Sequence, residues 1–173
     1  SKESIANLAP YSFFNAIAYE PPQVMFAATD YHSNGGLKDS IANILDTKEF
    51  VVNLATKKLQ QSVVHSSIDA PHGVDEFKLM KLKKRKSTMV QPPSVAESPV
   101  TLECKLIRKI DLKGKKINQN IMIIGEVVGI HIKDAFISNG KVNSLAMRAI
   151  SRMGYTEYSE VKSRFLMDRP KYS

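Results

Sequence analysis

The residues best suited to chemistry lie near the start of the chain, in Asn7-Leu8-Ala9-Pro10-Tyr11-Ser12-Phe13-Phe14-Asn15. This segment combines three aromatic rings with small, hydroxyl and amide residues around one proline. Pro10 lacks a backbone N–H and fixes the chain, which makes the segment a poor helix and a poor central strand. Aromatic faces beside N–H and hydroxyl groups can bind a flat ring with polar edges. We therefore predict a loop that forms one wall of a site for a planar ligand.

A second stretch, Lys38-Asp39-Ser40, could bind the anionic tail of such a ligand. It begins a predicted helix, and a helix N-terminus offers unpaired N–H groups and partial positive charge. The lysine and the serine hydroxyl would add donors for a phosphate. In the simpler alternative, Asp39 or Ser40 only caps the helix while Lys38 is solvated.

Arg152 is the remaining candidate anion ligand, in the glycine-containing turn Ser151-Arg152-Met153-Gly154. Its guanidinium could bind a phosphate through two hydrogen bonds, or it could form an ordinary surface ion pair. Metal ligands are not predicted, because the histidines show no ligand spacing and the chain has a single cysteine. The histidines are His32, His65, His72 and His131.

Length and composition indicate one globular domain over residues 1–173. Hydrophobic residues make up 43% of the chain and charged residues 24%, which is enough to bury a core. The sequence has no secretory leader and no apolar run of the roughly 18 residues that a membrane span requires. Cys104 is the single cysteine, and its neighbours alternate as in a strand. We predict a buried thiol and a reducing, cytoplasmic location.

The net charge of +8 predicts attraction to polyanions and anionic cofactors. Part of the excess is local, in the cluster Lys78, Lys81, Lys83, Lys84, Arg85 and Lys86. No zinc finger, basic zipper or aromatic RNA-binding signature accompanies these residues, so nucleic acid is not the predicted partner. The cluster fits either a solvated surface or a docking surface for an acidic protein.

The hydrophobic pattern predicts the elements that must position these residues. Residues 23–28 and 50–54 are predicted strands, and the apolar residues at 41, 44 and 45 follow the spacing of a helix between them. Further short helices are predicted at 59–64 and after His72.

In the second half of the chain β structure dominates. Residues 100–106 alternate as in a half-buried strand, and 122–132 predict a long strand with bends or bulges at Gly125 and Gly129. Asn139-Gly140 predicts a hairpin turn. These runs predict a mainly β barrel or sandwich with short helices. The glycine-rich dinucleotide fingerprint and the P-loop are both absent from the sequence.

Together the motifs resemble the flavin reductase-like, FMN-binding split-barrel family. The resemblance begins in the N-terminal segment and continues in order along nearly the whole chain. Its further motifs are Pro21-Pro22, Lys38-Asp39-Ser40, Glu49-Phe50-Val51-Val52-Asn53-Leu54, Gly73-Val74-Asp75-Glu76-Phe77, Pro93-Ser94-Val95-Ala96-Glu97-Ser98-Pro99, Leu102-Glu103-Cys104, Gly125-Glu126-Val127-Val128, Arg152-Met153-Gly154 and Met167-Asp168-Arg169-Pro170. Family members begin with a strand before the first motif, and we expect that strand to be missing here.

The resemblance implies an antiparallel split β-barrel of Greek-key topology with short peripheral helices. It also implies a homodimer that holds FMN near the dimer interface. The implied FMN-binding residues are Asn7, Ala9, Pro10, Tyr11, Ser12, Phe13, Phe14, Ala27, Ala28, Lys38, Asp39, Ser40 and Arg152. Ser40 replaces a threonine of the family and keeps the hydroxyl, whereas Tyr155 replaces a glycine in the late arginine motif.

The function that the resemblance implies is flavin reduction. NADH or NADPH would pass a hydride to the flavin, and the reduced flavin would supply a partner oxygenase. The alternative within the family is an FMN-binding electron carrier, like a flavoredoxin, that a protein donor reduces. Because the flavin carries the chemistry, no side chain is predicted to be catalytic.

Overall fold

The computed structural model describes residues 6–68, 70–117 and 119–172. The expectation of a missing opening strand lies outside the described residues, so the structure does not test it. The strands are β1 (Phe13–Tyr19), β2 (Pro22–Thr29), β3 (Glu49–Asn53), β4 (Lys84–Arg85), β5 (Ser94–Val95), β6 (Val100–Leu112), β7 (Asn120–Ile132), β8 (Ile137–Ser138), β9 (Lys141–Val142), β10 (Ile150–Gly154) and β11 (Glu157–Glu160). The α-helices are α1 (Asp39–Thr47), α2 (Gln60–His65) and α3 (Glu76–Leu79), and 3₁₀ turns lie at Lys57–Leu59 and Asp134–Phe136.

Five strands form one antiparallel sheet in the order β1-β2-β7-β6-β3. The strands β3, β6 and β7 are spatial neighbours, and β2 lies beside β7 although two strands of this sheet, β3 and β6, separate them in the chain. This is a Greek-key arrangement. The pairs β4–β5, β8–β9 and β10–β11 are small separate hairpins or bridges. The prediction of a mainly β, antiparallel fold with short helices is confirmed.

The core lies between this sheet and α1. Ile41 and Ile44 are the buried residues of α1, and they join a cluster with Phe26 of β2 and Phe50 of β3. Cys104 of β6 belongs to the same cluster and is fully buried, so the predicted buried thiol is confirmed. Burial, reinforced by the neighbouring Glu103 carboxylate, raises the pKa of the Cys104 thiol to about 12. The thiol therefore stays protonated and unreactive at neutral pH.

The two predicted bend sites in β7 coincide with irregularities in its pairing with β6. The register shifts next to Gly129 and again next to Gly125. A Cβ atom on Gly125 would lie 2.4 Å from a ring carbon of Phe50, so only glycine allows β3 and β7 to approach this closely. The Asn139-Gly140 turn is also as predicted, because both residues have positive φ between β8 and β9.

A buried carboxylate fixes the segment between β4 and β5 to the sheet. Glu103 of β6 is 1% exposed and accepts hydrogen bonds from the N–H groups of Thr88 and Met89. His131 of β7 lies 2.5 Å from the same carboxylate. Burial alone would raise the pKa of Glu103, but these three partners lower it below its usual range.

Two parts of the structure differ from the prediction. Residues 13–15, predicted as part of a loop, lie in β1. Pro10 precedes this strand and interrupts no pairing, and β1 is an edge strand, so the rule against proline in a central strand does not apply. The β10–β11 hairpin was not predicted, because most of its residues are exposed and show no apolar alternation.

In the described part of the chain, no helix is both long and apolar enough to cross a membrane.

Candidate functional site

Residues 7–14, here called the N-terminal wall, are held at their start by polar contacts from two helices. The Leu8 N–H donates to Glu76 Oε2 at 2.9 Å, and Asn7 Nδ2 donates to Glu76 Oε1 at 3.2 Å. Ser40 Oγ of α1 donates to Asn7 Oδ1 at 2.5 Å. Glu76, at the start of α3, is only 6% exposed. A buried charge that accepts a backbone N–H is a strong anchor, so the wall is positioned before any ligand binds.

The three aromatic residues of the wall divide into one inward and two outward rings. Tyr11 packs on Phe26 with ring centroids 4.6 Å apart. Burial raises the pKa of its hydroxyl, the Ser40 hydrogen bond opposes that rise, and Asp39 and Glu76 add to it. Tyr11 is therefore a neutral donor at neutral pH. Phe13 and Phe14 begin β1 and remain 61% and 41% exposed.

The start of β1 and the end of β2 bring further predicted residues together. Phe13 lies directly opposite Ala27 in the β1–β2 register, so these two implied flavin contacts are neighbours. Ala28 is 5% exposed and belongs to the core, which leaves only its backbone for a ligand. Ala9 is half-buried, and Pro10 and Ser12 are at the surface.

The prediction that Asp39 or Ser40 caps α1 is wrong. Lys38 occupies the N-cap position without a side-chain capping bond, because both candidate caps bind elsewhere. Asp39 Oδ1 lies 2.5 Å from Nδ1 of His72, and the Ser40 hydroxyl donates to Asn7. The first-turn N–H groups of a helix lack intrahelical partners. These groups and half-buried Lys38 are therefore the donors that α1 offers to an anion.

Arg152 lies in strand β10 rather than in the predicted turn. Its Nε and one terminal nitrogen donate to the carbonyl oxygen of Tyr155, at 3.2 and 2.6 Å. Tyr155 forms the hairpin turn with a positive φ of 48°. The guanidinium thus stabilises its own exposed hairpin, and its role toward a ligand stays a prediction.

The cleft between α2 and the β10–β11 hairpin is not an alternative site for a flavin. Lys57, Gln60, Val64 and Tyr158 are among its lining residues. Its volume is about 150 Å³, whereas ligand sites are typically roughly 300–1,000 Å³. A second cleft, next to α2 and the end of α3, has a volume of about 440 Å³, but its lining residues include no phenylalanine, tyrosine or tryptophan. The N-terminal wall and α1 combine aromatic rings with donors for an anion, which suits a planar, anionic ligand.

Sequence reasoning missed two features of this region. Glu76 was quoted within a family motif but not as a site residue, although an acidic residue directly before the apolar Phe77 was a usable signal. The second feature is a cluster of His32, Asp39 and His72, in which one ligand atom from each residue lies within 4.8 Å of the others. Spacing could not find it, since the two histidines are far apart in the chain.

Comparison with known proteins agrees with the motifs. The sequence profile of the flavin reductase like domain family matches residues 1–146, and the chain belongs to this family. The predicted family is thereby confirmed. An uncharacterized protein of Aquifex aeolicus is 35% identical over 159 residues, which cover 91% of this chain and 78% of that protein.

Solved structures place the fold among split barrels. Nitrilotriacetate monooxygenase component B from Bacillus cereus matches with a TM-score of 0.89 and 28% identity, covering 96% of this chain and 82% of that chain. The 2-nitrobenzoate 2-nitroreductase of Pseudomonas fluorescens matches with a TM-score of 0.85 and 26% identity, covering 98% and 80%. A protein with a split barrel domain from Shewanella frigidimarina shares the fold, with 20% identity and a TM-score of 0.78 over 96% of this chain and 79% of that chain. The predicted split barrel is confirmed.

Proposed function

We propose that this protein binds FMN and reduces it with NADH or NADPH, supplying reduced flavin to a partner oxygenase. The observation that carries the proposal is the fixed N-terminal wall, which Glu76 and Ser40 hold beside the donors at the start of α1. The similarity to a protein named as component B of a monooxygenase supports the role as a supplier of reduced flavin to an oxygenase.

The residues present fit an FMN molecule. The exposed rings of Phe13 and Phe14 and the backbone of β2 offer contacts for a flat ring system, while Lys38 and the α1 N-terminus offer charge and N–H donors for a phosphate. When bound, the flavin would supply the two-electron redox chemistry, and the chain would hold and orient it.

The chain itself contributes position rather than acid–base catalysis. Glu76 orients the backbone at Leu8, and Tyr11 stays protonated as a hydrogen-bond donor. Asp39, in the first turn of α1, has Oδ1 at 2.5 Å from His72 Nδ1, so this carboxylate already has a hydrogen-bond partner within the chain. Ser40 donates to Asn7, so its direct hydrogen bond to a phosphate stays a prediction.

A homodimer is the proposed assembly. Six of the seven residues of the edge strand β1 are exposed, and Tyr19 is 90% exposed. An exposed sheet edge that carries apolar side chains favours association with another chain. Light scattering at micromolar concentration should give twice the mass of one chain. A monomer that is fully loaded with FMN would contradict the shared-site arrangement.

An anaerobic titration tests the function. FMN-loaded protein is mixed with one equivalent of NADH or NADPH, with free FMN at the same concentration as the control. We expect rapid loss of the oxidised-flavin absorbance with at least one nucleotide and no comparable loss in the control. A flavin that neither nucleotide bleaches, but that a reduced protein donor does, would overturn hydride transfer and establish the electron-carrier alternative.

A further inference from the structure

The His32–Asp39–His72 cluster lies beside the start of α1; it shares Asp39 with the implied FMN-binding residues, but neither histidine is among them. The two imidazole rings are stacked, with centroids 3.9 Å apart and planes inclined by 26°. His72 Nδ1 lies 2.5 Å from Asp39 Oδ1. One ring nitrogen of each histidine and one carboxylate oxygen all fall within 4.8 Å of one another.

The hydrogen bonds of His32 prepare its ring to act as a ligand. Its Nε2 lies 2.8 Å from the carbonyl oxygen of Ala70, so Nε2 carries the proton and donates. Nδ1 then carries the lone pair that would bind a metal, and its present hydrogen bond from the Asn34 N–H, at 3.1 Å, would be exchanged for the metal. Metal-binding histidines characteristically donate their other N–H to a carbonyl or carboxylate in this way, because that bond fixes the ring and raises its basicity.

His72 Nδ1 and Asp39 Oδ1 now share a hydrogen bond. A metal ion could take the place of the proton between these two atoms. A tetrahedral zinc site separates its N and O ligand atoms by roughly 3–3.5 Å, given metal–ligand distances of about 2.0–2.2 Å. The observed 2.5 Å contact must therefore open slightly. The side chain of His72 is 47% exposed, so its ring has room to turn, whereas buried His32 supplies the fixed position.

We propose that His32, Asp39 and His72 form a binding site for a borderline divalent transition metal of the Zn²⁺, Co²⁺ and Ni²⁺ class. Two imidazoles and one carboxylate favour these ions over Mg²⁺ and Ca²⁺, which prefer oxygen ligands. The Asp39 carboxylate offsets the positive charge of the α1 N-terminus and of Lys38. Three protein ligands leave a coordination position for water.

Calorimetric titration of the tag-free, chelator-treated, flavin-free protein with Zn²⁺ tests the site, and the visible absorption of bound Co²⁺ provides a second readout. We expect one ion per chain and no saturable binding of Mg²⁺. His72→Ala and Asp39→Asn should each weaken Zn²⁺ binding by more than about tenfold, the least that loss of a metal-supporting group typically causes. His65→Ala, at an exposed histidine ending α2, should leave binding unchanged.

In these variants the effect on folding can be measured separately from the effect on Zn²⁺ binding. His72 is half-exposed, so a normal circular dichroism spectrum together with lost Zn²⁺ binding would support the site. Zn²⁺ affinity that is unchanged in His72→Ala, Mg²⁺ binding equal to that of Zn²⁺, or absence of saturable Zn²⁺ binding in the wild type would each overturn it. None of these outcomes depends on flavin binding or on reductase activity.

Discussion

The N-terminal wall and the β10–β11 hairpin were both implicated in flavin binding, but the structure builds them differently. The wall is fixed by the buried carboxylate of Glu76 and by Ser40, through contacts between residues 33 to 69 positions apart in the chain. The hairpin is exposed, and Arg152 within it binds the carbonyl of its own turn. The wall is held by buried long-range side-chain contacts, whereas the hairpin is mostly exposed and is joined to the rest of the fold at its base, where the Ile150 N–H donates to the Ala55 carbonyl oxygen at 3.1 Å.

This difference indicates which region supplies most of the binding free energy. Preorganised groups lose little conformational entropy when a ligand binds, whereas an exposed arginine must leave its present partners and be ordered. The wall and α1 should therefore dominate flavin affinity, and the hairpin should contribute modestly. The following predictions test that comparison.

The largest effect is expected for Glu76→Ala, which removes the anchor of the wall. Hydrogen bonds to a charged group are worth roughly 1.5–3 kcal/mol each, and two are lost, so the free energy of unfolding should fall by about 3–6 kcal/mol. FMN and riboflavin should lose affinity equally, because the ring wall and not the phosphate contact is disturbed. Chemical denaturation and fluorescence quenching measure the two effects.

Glu97→Ala is the matched control for this variant. Glu97 also accepts a backbone N–H, from Lys83, but it lies at β4–β5 rather than at the wall. Its loss should reduce stability while leaving flavin affinity unchanged. Equal losses of flavin affinity in both variants would show that general destabilisation, and not the wall, explains the Glu76 result.

The next effect is expected for Lys38→Ala, which removes the cation at the start of α1. A charge-assisted hydrogen bond of roughly 1.5–3 kcal/mol corresponds to about 10- to 150-fold weaker FMN binding. Riboflavin has the same ring and no phosphate, so its affinity should barely change. Lys141→Ala, which removes an equal charge from the exposed strand β9, is the control. Equal losses for both flavins would place the phosphate elsewhere, with Arg152 as the first candidate.

The smallest effect is expected for Arg152→Ala. An exposed ionic contact is worth about 0–1 kcal/mol, so FMN affinity should fall by less than about fivefold. Fluorescence titration of FMN into this variant and into Lys38→Ala under the same conditions makes the comparison. A loss in Arg152→Ala that equals or exceeds the loss in Lys38→Ala would reverse the ranking of the two regions.

The sequence predicted those elements that carry a clear apolar signal. Strand β2 was predicted from a short apolar run after Pro21-Pro22, and helix α1 from apolar residues, such as Ile41, that recur at helical spacing. Strand β1 was missed because nearly all of its residues are exposed, so its apolar residues carry no period. The β10–β11 hairpin was missed for the same reason, because most of its residues are exposed.

The site was predictable as a set of motifs but not as a set of contacts. The resemblance identified Asn7 and Ser40 as site residues, yet not that they bind each other across 33 positions. The pairing of Asp39 with His72 likewise depends on how the loop before α3 folds back onto α1. Such long-range contacts are set by tertiary packing, which local spacing does not encode.

Hydrogen–deuterium exchange with and without saturating FMN tests the central claim most directly, because it observes both regions in one sample. We expect FMN to slow exchange most strongly at the amides of residues 8–14 and of the first turn of α1, with a smaller change in β10–β11. Riboflavin should protect the wall but not the first turn of α1. Protection confined to the β10–β11 hairpin, with the wall unchanged, would contradict the account.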